Sequence, residues 1–397
     1  MNKQQWYKWH SFAGLPLAVF VCFIMFTGTL AVLSHELDWL TNPAIRSTAS
    51  DKPLDWSAYY RAVLAQAKGD KVYQLSAPLH PGFAAQAILL DEGGQRYRLF
   101  FNPETLEYQG NGVWLNWQTV LRRLHRHLML PLNIGLTIVS ATGFLLCISL
   151  ISGLALHKHW WRGLWRLPRH HNPRVFWGDM HRLTALWGSW LLLIIALTSV
   201  WYFVEKYGLA ADYPANATVS NLPAKPHTLA VEPDIFAQVI RQSSSLRPDL
   251  RISSIFLPVT SGQPVRVDGQ SDTILVRDRA NNLIFDPITG ECLSQRFASE
   301  LSVHARISEA ADPLHFGTWG AYWSKTVYFV FGFLLTSLCF TGTIIYAHRV
   351  CKWRRNAVPP LSKVVTAGVK QMKVGALVSI WLVTSGLMMT LYVLFMG

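Results

Sequence analysis

The sequence predicts a mainly α membrane protein: five transmembrane helices, arranged as two parallel repeats plus one helix, with two α+β domains outside the membrane. Three observations predict it. Five apolar segments without a charged residue run over 11–34, 131–156, 183–204, 326–347 and 374–396. Each is long enough to cross a hydrocarbon core of about 30 Å at 1.5 Å per residue. The chain repeats itself around histidines, and its Lys and Arg are gathered in some loops and balanced by acids in others.

Taken in order, residues 1–36 form the first transmembrane helix. It is not expected to be a cleaved signal peptide, because it is too long, lacks a small-residue cleavage site and has a copy mid-chain. Residues 37–124 form the first α+β domain, with an amphipathic helix over 56–68 and strands near 72–77, 86–90 and 97–101. Residues 125–157 are the second span, 158–180 a basic loop and 181–205 the third span. Residues 206–320 form the second α+β domain, with a helix over 233–243 and strands near 252–257, 265–268, 273–277 and 282–285. Residues 321–348 are the fourth span, 349–373 a second basic loop and 374–397 the fifth span. Phe101-Asn102-Pro103 and Phe285-Asp286-Pro287 each read as a strand running into a turn that Asn or Asp followed by Pro initiates.

The repeat brings in the histidines. His10 leads to Thr27-Gly28 and His181 to Thr198-Ser199, with a His-to-Thr offset of 17 residues in both. Leu124-His125 leads to Gly143-Phe144-Leu145-Leu146, and Leu314-His315 to Gly332-Phe333-Leu334-Leu335. Each repeat starts and ends on the same side, so the copies should be related by an axis along the membrane normal. That axis sets His10 opposite His181 at one face and His125 opposite His315 at the other. An imidazole at membrane depth is costly without a partner. Two-fold related histidines suit bis-imidazole ligation of a haem iron. An interfacial histidine capping a helix is the plainer reading of any one of them.

Orientation follows from the loops. Residues 1–9, 157–181 and 349–373 hold 14 Lys or Arg against one acid, Asp179, whereas 36–124 hold 9 against 9 and 205–323 hold 10 against 13. The first set is expected in the cytoplasm, the two long segments and the C-terminus outside. The net charge of +13 is thus a topology signal. A nucleic-acid partner would need that charge gathered on one folded domain. Of the five cysteines only Cys292 is external, so no disulfide is expected within the outer domains. No Cys-x-x-Cys-His is present for a c-type haem, no Gly-x-Gly-x-x-Gly for a dinucleotide, and no His-Glu-x-x-His or nucleophile elbow for a peptidase.

The paired His-x-x-x-Gly/Ala starts, the Phe-Asn/Asp-Pro-x-Thr turns and the Leu-His segments resemble the PepSY-associated transmembrane family over nearly the whole chain. Within it the sequence is similar to inner-membrane ferrisiderophore reductases, which are di-haem b-type proteins. The resemblance implies PepSY-like periplasmic domains, a bacterial inner-membrane location, two b-type haems and an oxidoreductase that reduces ferric siderophores. The repeat and the loop charges, read from the residues, then place His10 and His181 at the inner haem, and His125 and His315 at the outer one. A hydroxamate siderophore, an electron donor in the cytoplasm or membrane, and the lipid bilayer are the expected partners. The alternative is a non-redox module whose external domains bind a peptide, a peptidase or an accessory protein.

Competing residues stay open at this point. His127 lies two residues from His125 on another helix face. His35 ends the first span, about 38 Å of straight helix from His10, and ranks third for the outer site. Its repeat partner is Lys206, which cannot ligate. His157, His159, His170, His171 and His348 read as headgroup contacts in basic loops; His80, His227 and His304 have no metal-ligand spacing. Arg123, Arg126, Arg174 and Arg182 suit either haem propionates or lipid headgroups. The 17 Trp read mainly as an interfacial aromatic belt, with Trp187, Trp190 and Trp201 inside the third span.

Overall fold

The computed structural model describes residues 1–49, 52–157, 159–170, 172–213, 230–351 and 359–396. In chain order it begins with helices α1 (Lys3–Gly14), α2 (Ala18–Val32), α3 (Ser34–Thr41) and α4 (Trp56–Ala67). Strands β1 (Lys71–Ser76), β2 (Ala85–Leu90), β3 (Arg96–Phe101) and β4 (Tyr108–Val113) follow. Then come α5 (Trp117–His127), α6 (Leu132–Leu156), α7 (Pro173–Val204) and α8 (Pro233–Leu246). A second strand set, β5 (Arg251–Phe256), β6 (Val265–Gln270), β7 (Asn281–Phe285) and β8 (Cys292–Arg296), leads into α9 (Val303–Phe316) and α10 (Ala321–Val350). The chain closes with α11 (Leu361–Gln371) and α12 (Val374–Met396). These elements form two compact units: a helical one of Met1–Ser34, Gln118–Ala210 and Leu314–Gly397, and a sheet unit of His35–Trp117 and Ala211–Pro313.

Among the described residues of the helical unit four helices, α6, α7, α10 and α12, are long and apolar enough to cross a membrane. The α1–α2 pair makes a fifth span if it is counted as one, but it is bent by 63°. Pro16 causes the bend: it has no N–H to give, and its ring collides with the carbonyl one turn back. Residues 11–34 are therefore not the unbroken helix that their apolarity suggests, and the straight-helix distance from His10 to His35 does not apply. α12 lies directly on the bend. A Cβ on Gly375 would fall 2.1 Å from the Pro16 carbonyl oxygen, so only glycine permits this approach. Leu15, Ala18, Met372 and Ala376 pack around it.

The second and fourth spans are each preceded by a separate short helix. α5 stops where Leu128 and Met129 turn the chain at φ 56° and 55°. The left-handed Leu128 is fully buried among Phe20, Ile24, Val139 and Leu382, and that burial offsets its backbone strain. α6 starts after Pro131, where a proline tolerates a helix start. The chain turns again between α9 and α10 at Gly317, with φ 68°. His125 and His315 thus sit at the ends of α5 and α9, outside the spans proper. α7 instead runs unbroken from an Asn172 cap, whose side chain accepts from the Arg174 N–H at 2.9 Å, with Pro173 in its first turn. It begins eight residues before the expected 181, because that cap precedes the apolar run.

The sheet unit holds one antiparallel eight-stranded sheet in the order β4-β3-β2-β1-β5-β6-β7-β8. The two four-stranded halves meet at β1 and β5, with Leu75 opposite Ile255. A single core joins them: Leu75, Ala87, Leu89, Val265, Val267 and Leu283 lie under α4 and α8, where Tyr60 stacks on Phe236 at 4.3 Å. Both expected turns close as Asx turns. Asn102 Oδ1 accepts from the Glu104 and Thr105 amides, and Asp286 Oδ1 from those of Ile288 and Thr289. β4 and β8 are edge strands that the sequence reading missed. The strand expected at 273–277 is absent. Leu275 there has φ 55°, and the Arg277 side chain turns to Glu309 at 2.8 Å and Asp312 at 3.1 Å.

Candidate functional site: two histidine pairs

The helical unit brings the four predicted histidines together two by two. The His10 and His181 rings lie 6.2 Å apart between centroids, at 81° to each other. Those of His125 and His315 lie 6.1 Å apart at 41°. Two imidazoles on opposite sides of one metal, with metal–nitrogen bonds of about 2 Å and a further ~1 Å from nitrogen to ring centre, have centroids about 6 Å apart. Both pairs have that spacing.

The chain also fixes which nitrogen faces inward. His10 Nδ1 lies 3.1 Å from both the Ser149 carbonyl and Ser152 Oγ. His181 Nδ1 lies 2.8 Å from Thr341 Oγ1. His125 Nδ1 lies 2.9 Å from the Ile24 carbonyl, and His315 Nδ1 2.7 Å from Thr198 Oγ1. A carbonyl can only accept. The three hydroxyls already donate within their own helices, Ser152 to Ile148, Thr341 to Ser337 and Thr198 to Ile194. Every Nδ1 is therefore a donor, and in this tautomer Nε2 is the nitrogen with a lone pair for a metal. Such a second contact is what orients a ligating imidazole and raises its basicity.

Small residues flank the rings. A Cβ on Gly28 would lie 2.6 Å from His125 Cε1, one on Gly153 3.4 Å from His10 Cε1, and one on Gly342 3.5 Å from His181 Cε1. Each histidine thus meets at least one member of a hydroxyl–small dipeptide on another helix: His10 that of Ser152-Gly153, His181 that of Thr341-Gly342, His125 the Gly28 of Thr27-Gly28, and His315 the Thr198 of Thr198-Ser199. The sequence reading picked out the last two as ends of the repeat but missed their contact with His125 and His315, and it missed the first two altogether. The signal was present, since the four dipeptides fall at matching places in the two repeats. Each ligand candidate is also held from within its own half of the chain. α6 braces His10 and α10 braces His181, while α2 and α7 brace His125 and His315.

The competitors fall elsewhere. His127 turns its Nδ1 to the Leu130 carbonyl at 2.8 Å, closing the turn before α6. His35 belongs to α3 and to the sheet unit. His171 and His227 lie outside the described residues. Arg182 binds Asp179 at 3.1 Å, and Arg169 binds the same carboxylate at 2.8 Å. Tyr202 and Phe316 pack on the His315 ring at 5.4 and 5.5 Å. Among the described residues no cluster of three or more His, Cys, Asp or Glu could hold a metal.

No curated protein matches the chain. The PepSY-associated TM region matches residues 7–349, a stretch that contains all four histidines. With several apolar helices of spanning length, the chain is a multi-pass membrane protein and belongs to the PepSY-associated TM family.

Proposed function

We propose that the chain is a transmembrane electron carrier that holds two b-type haems and reduces ferric siderophores, of hydroxamate type, on the periplasmic side. The observation that carries this reading is the doubled histidine geometry: two pairs at the spacing of axial imidazoles, each Nδ1 spent on the protein. When bound, the haems supply one-electron transfer. His10 and His181 would hold the inner one, His125 and His315 the outer one. Ser152, Thr341, Thr198 and the Ile24 carbonyl keep the rings in the ligating tautomer. Gly28, Gly153 and Gly342 let the imidazoles of His125, His10 and His181 lie close against a neighbouring helix.

The charge bias of the loops supports an N-terminus in the cytoplasm and a C-terminus in the periplasm of a bacterial inner membrane. With His125 and His315 both committed to holding the outer haem, the chelate would accept an electron near that pair without displacing either histidine. Fe(II) is a poorer fit than Fe(III) for hard oxygen donors, and one electron is then enough to loosen the siderophore's grip. Similar dipeptides, and a short helix before both the second and the fourth span, support the reading of two parallel repeats, although the bend between α1 and α2 has no counterpart in α7. A pyridine haemochrome assay of the purified protein should give two haems per chain. His10→Ala or His181→Ala should remove one, and His125→Ala or His315→Ala the other. A folded, colourless wild-type protein would leave the non-redox module as the better reading.

A further inference from the structure

Beside the His10/His181 pair is a cavity of about 700 Å³, inside the range of about 300–1,000 Å³ usual for small-molecule sites. Elements that present the pair continue into its wall. Trp6 stands four residues before His10 on α1, on the same face one turn away. Leu156 lies one turn beyond Ser152 on α6, and Arg182 follows His181 on α7. Trp160, Arg162 and Gly163 of the turn after α6, and Arg166, also line it.

The wall carries one sign of charge. Lys3, Arg162, Arg166 and Arg182 line it, and its described lining includes no Asp or Glu. Among the described residues Lys3, Arg162 and Arg166 form no ion pair. Arg182 gives Nη1 to Asp179 and Nη2 to the Arg166 carbonyl, but its Nε is buried with no hydrogen-bond partner. A buried guanidinium N–H left unmatched is uncommon and costly. The basicity of His157, which also lines the cavity, falls through burial and then through the nearby charges of Arg182 and Lys3. Trp6 and Trp160 add two indoles to the same wall.

We propose that this cavity binds a phosphorylated planar aromatic of mononucleotide size, with its phosphate on Lys3, Arg162 and Arg166 and its ring against Trp6 and Trp160. Guanidinium groups recognise phosphate by charge-assisted, bidentate bonds, and indoles stack on planar rings. A lipid phosphate shares the first chemistry and lacks the second. The inference goes beyond the electron-carrier reading and stands without it, because binding can be measured whatever the histidines hold. A molecule bound there would sit where an electron donor to the first pair must approach.

Flavin mononucleotide is a suitable probe. Titrated into the detergent-purified full-length protein, it should lose its fluorescence saturably, with one site per chain. Riboflavin, which lacks the phosphate, should bind about ten-fold more weakly or worse, as expected for losing a charge-assisted bond. Inorganic phosphate should compete with the mononucleotide and not with riboflavin. Arg162→Gln combined with Arg166→Gln should weaken the mononucleotide by a similar factor and leave riboflavin unchanged, whereas Trp160→Leu should weaken both. Equal affinity of the wild type for the two flavins overturns the proposal without any variant. So does binding in phosphatidylcholine nanodiscs that vanishes in phosphatidylglycerol ones, which would assign the cavity to lipid headgroups. Loss of a haem from the double arginine variant, with flavin binding intact, would assign the arginines to propionates instead.

Discussion

At the scale of single residues, the proposed haem sites would depend on side chains that touch the histidines rather than on the histidines alone. Thr198 Oγ1 accepts from His315 Nδ1 at 2.7 Å, and removing such a contact usually costs ten- to a hundred-fold, roughly, in ligand-site affinity. Thr198→Val keeps the shape and loses the acceptor. It should weaken the His125/His315 haem by about that factor and leave the other unchanged, read by haem retention during dialysis. Gly28→Leu should act on the same site by sterics, since its first carbon would already press on the His125 ring at 2.6 Å. Full retention of both haems by Gly28→Leu would remove that ring from the site. A different residue sets a pH dependence in the sheet unit. Burial pushes the Asp268 carboxyl up to about 6 from 3.8, against the pull of Arg266 at 3.0 Å. The folded state therefore holds a proton that the unfolded chain has released. Its contribution to stability is full below pH 3.8 and is lost as the pH rises through about 6. Asp268→Asn should raise the thermal midpoint of the sheet unit at pH 8 and have little effect near pH 4. An equal shift at both pH values would show that the carboxyl is not buried as a proton-binding group.

At the scale of elements, the sheet is one cooperative body, because β1 and β5 pair and the core beneath them is shared. Leu75→Ala removes a fully buried side chain at that seam and should cost about 2–5 kcal/mol. Hydrogen exchange should accelerate in β6 and β7 as well as in β1 and β2. Acceleration confined to β1–β4 would mean that the halves fold independently. This seam was not legible in the sequence. Gln74 pairs with Phe256 across nearly half of the chain, and nothing local announces a pairing that distant. β4 was hidden for a different reason: Tyr108–Val113 is a glycine-containing edge with little burial, so it lacks the apolar alternation that marks a half-buried strand. The apolar spans were legible because hydrocarbon thickness dictates their length. The bend at Pro16 was legible in principle, but apolarity alone does not report it. The histidine pairing could be read because it repeats, whereas its bracing by Ser152 and Thr341 depends on which helices are neighbours.

At the scale of the whole molecule, α7 sets the distance that electrons would have to cover. It carries His181 of the first pair and Thr198, which holds His315 of the second, 17 residues apart on one unbroken helix, or about 25 Å along its axis. That is most of a hydrocarbon core of about 30 Å, so on the proposed reading one pair would serve each face, and broad macrocycles would shorten the gap between them. On the proposed reading, the two pairs have different tasks that can be separated. Ferric hydroxamate siderophore added to the dithionite-reduced protein should reoxidise both haems and yield ferrous iron, trapped by ferrozine. His10→Ala should keep a reducible outer haem that the chelate still reoxidises, while losing reduction from the cytoplasmic side in vesicles. His125→Ala should do the reverse: its remaining haem accepts electrons from that side and passes none to an external chelate. The asymmetry is the informative result. If both variants lose the two half-reactions equally, the pairs are not in series. If His125→Ala reduces the external chelate at the wild-type rate, the second pair is not the exit, and the direction of transfer assigned here is wrong.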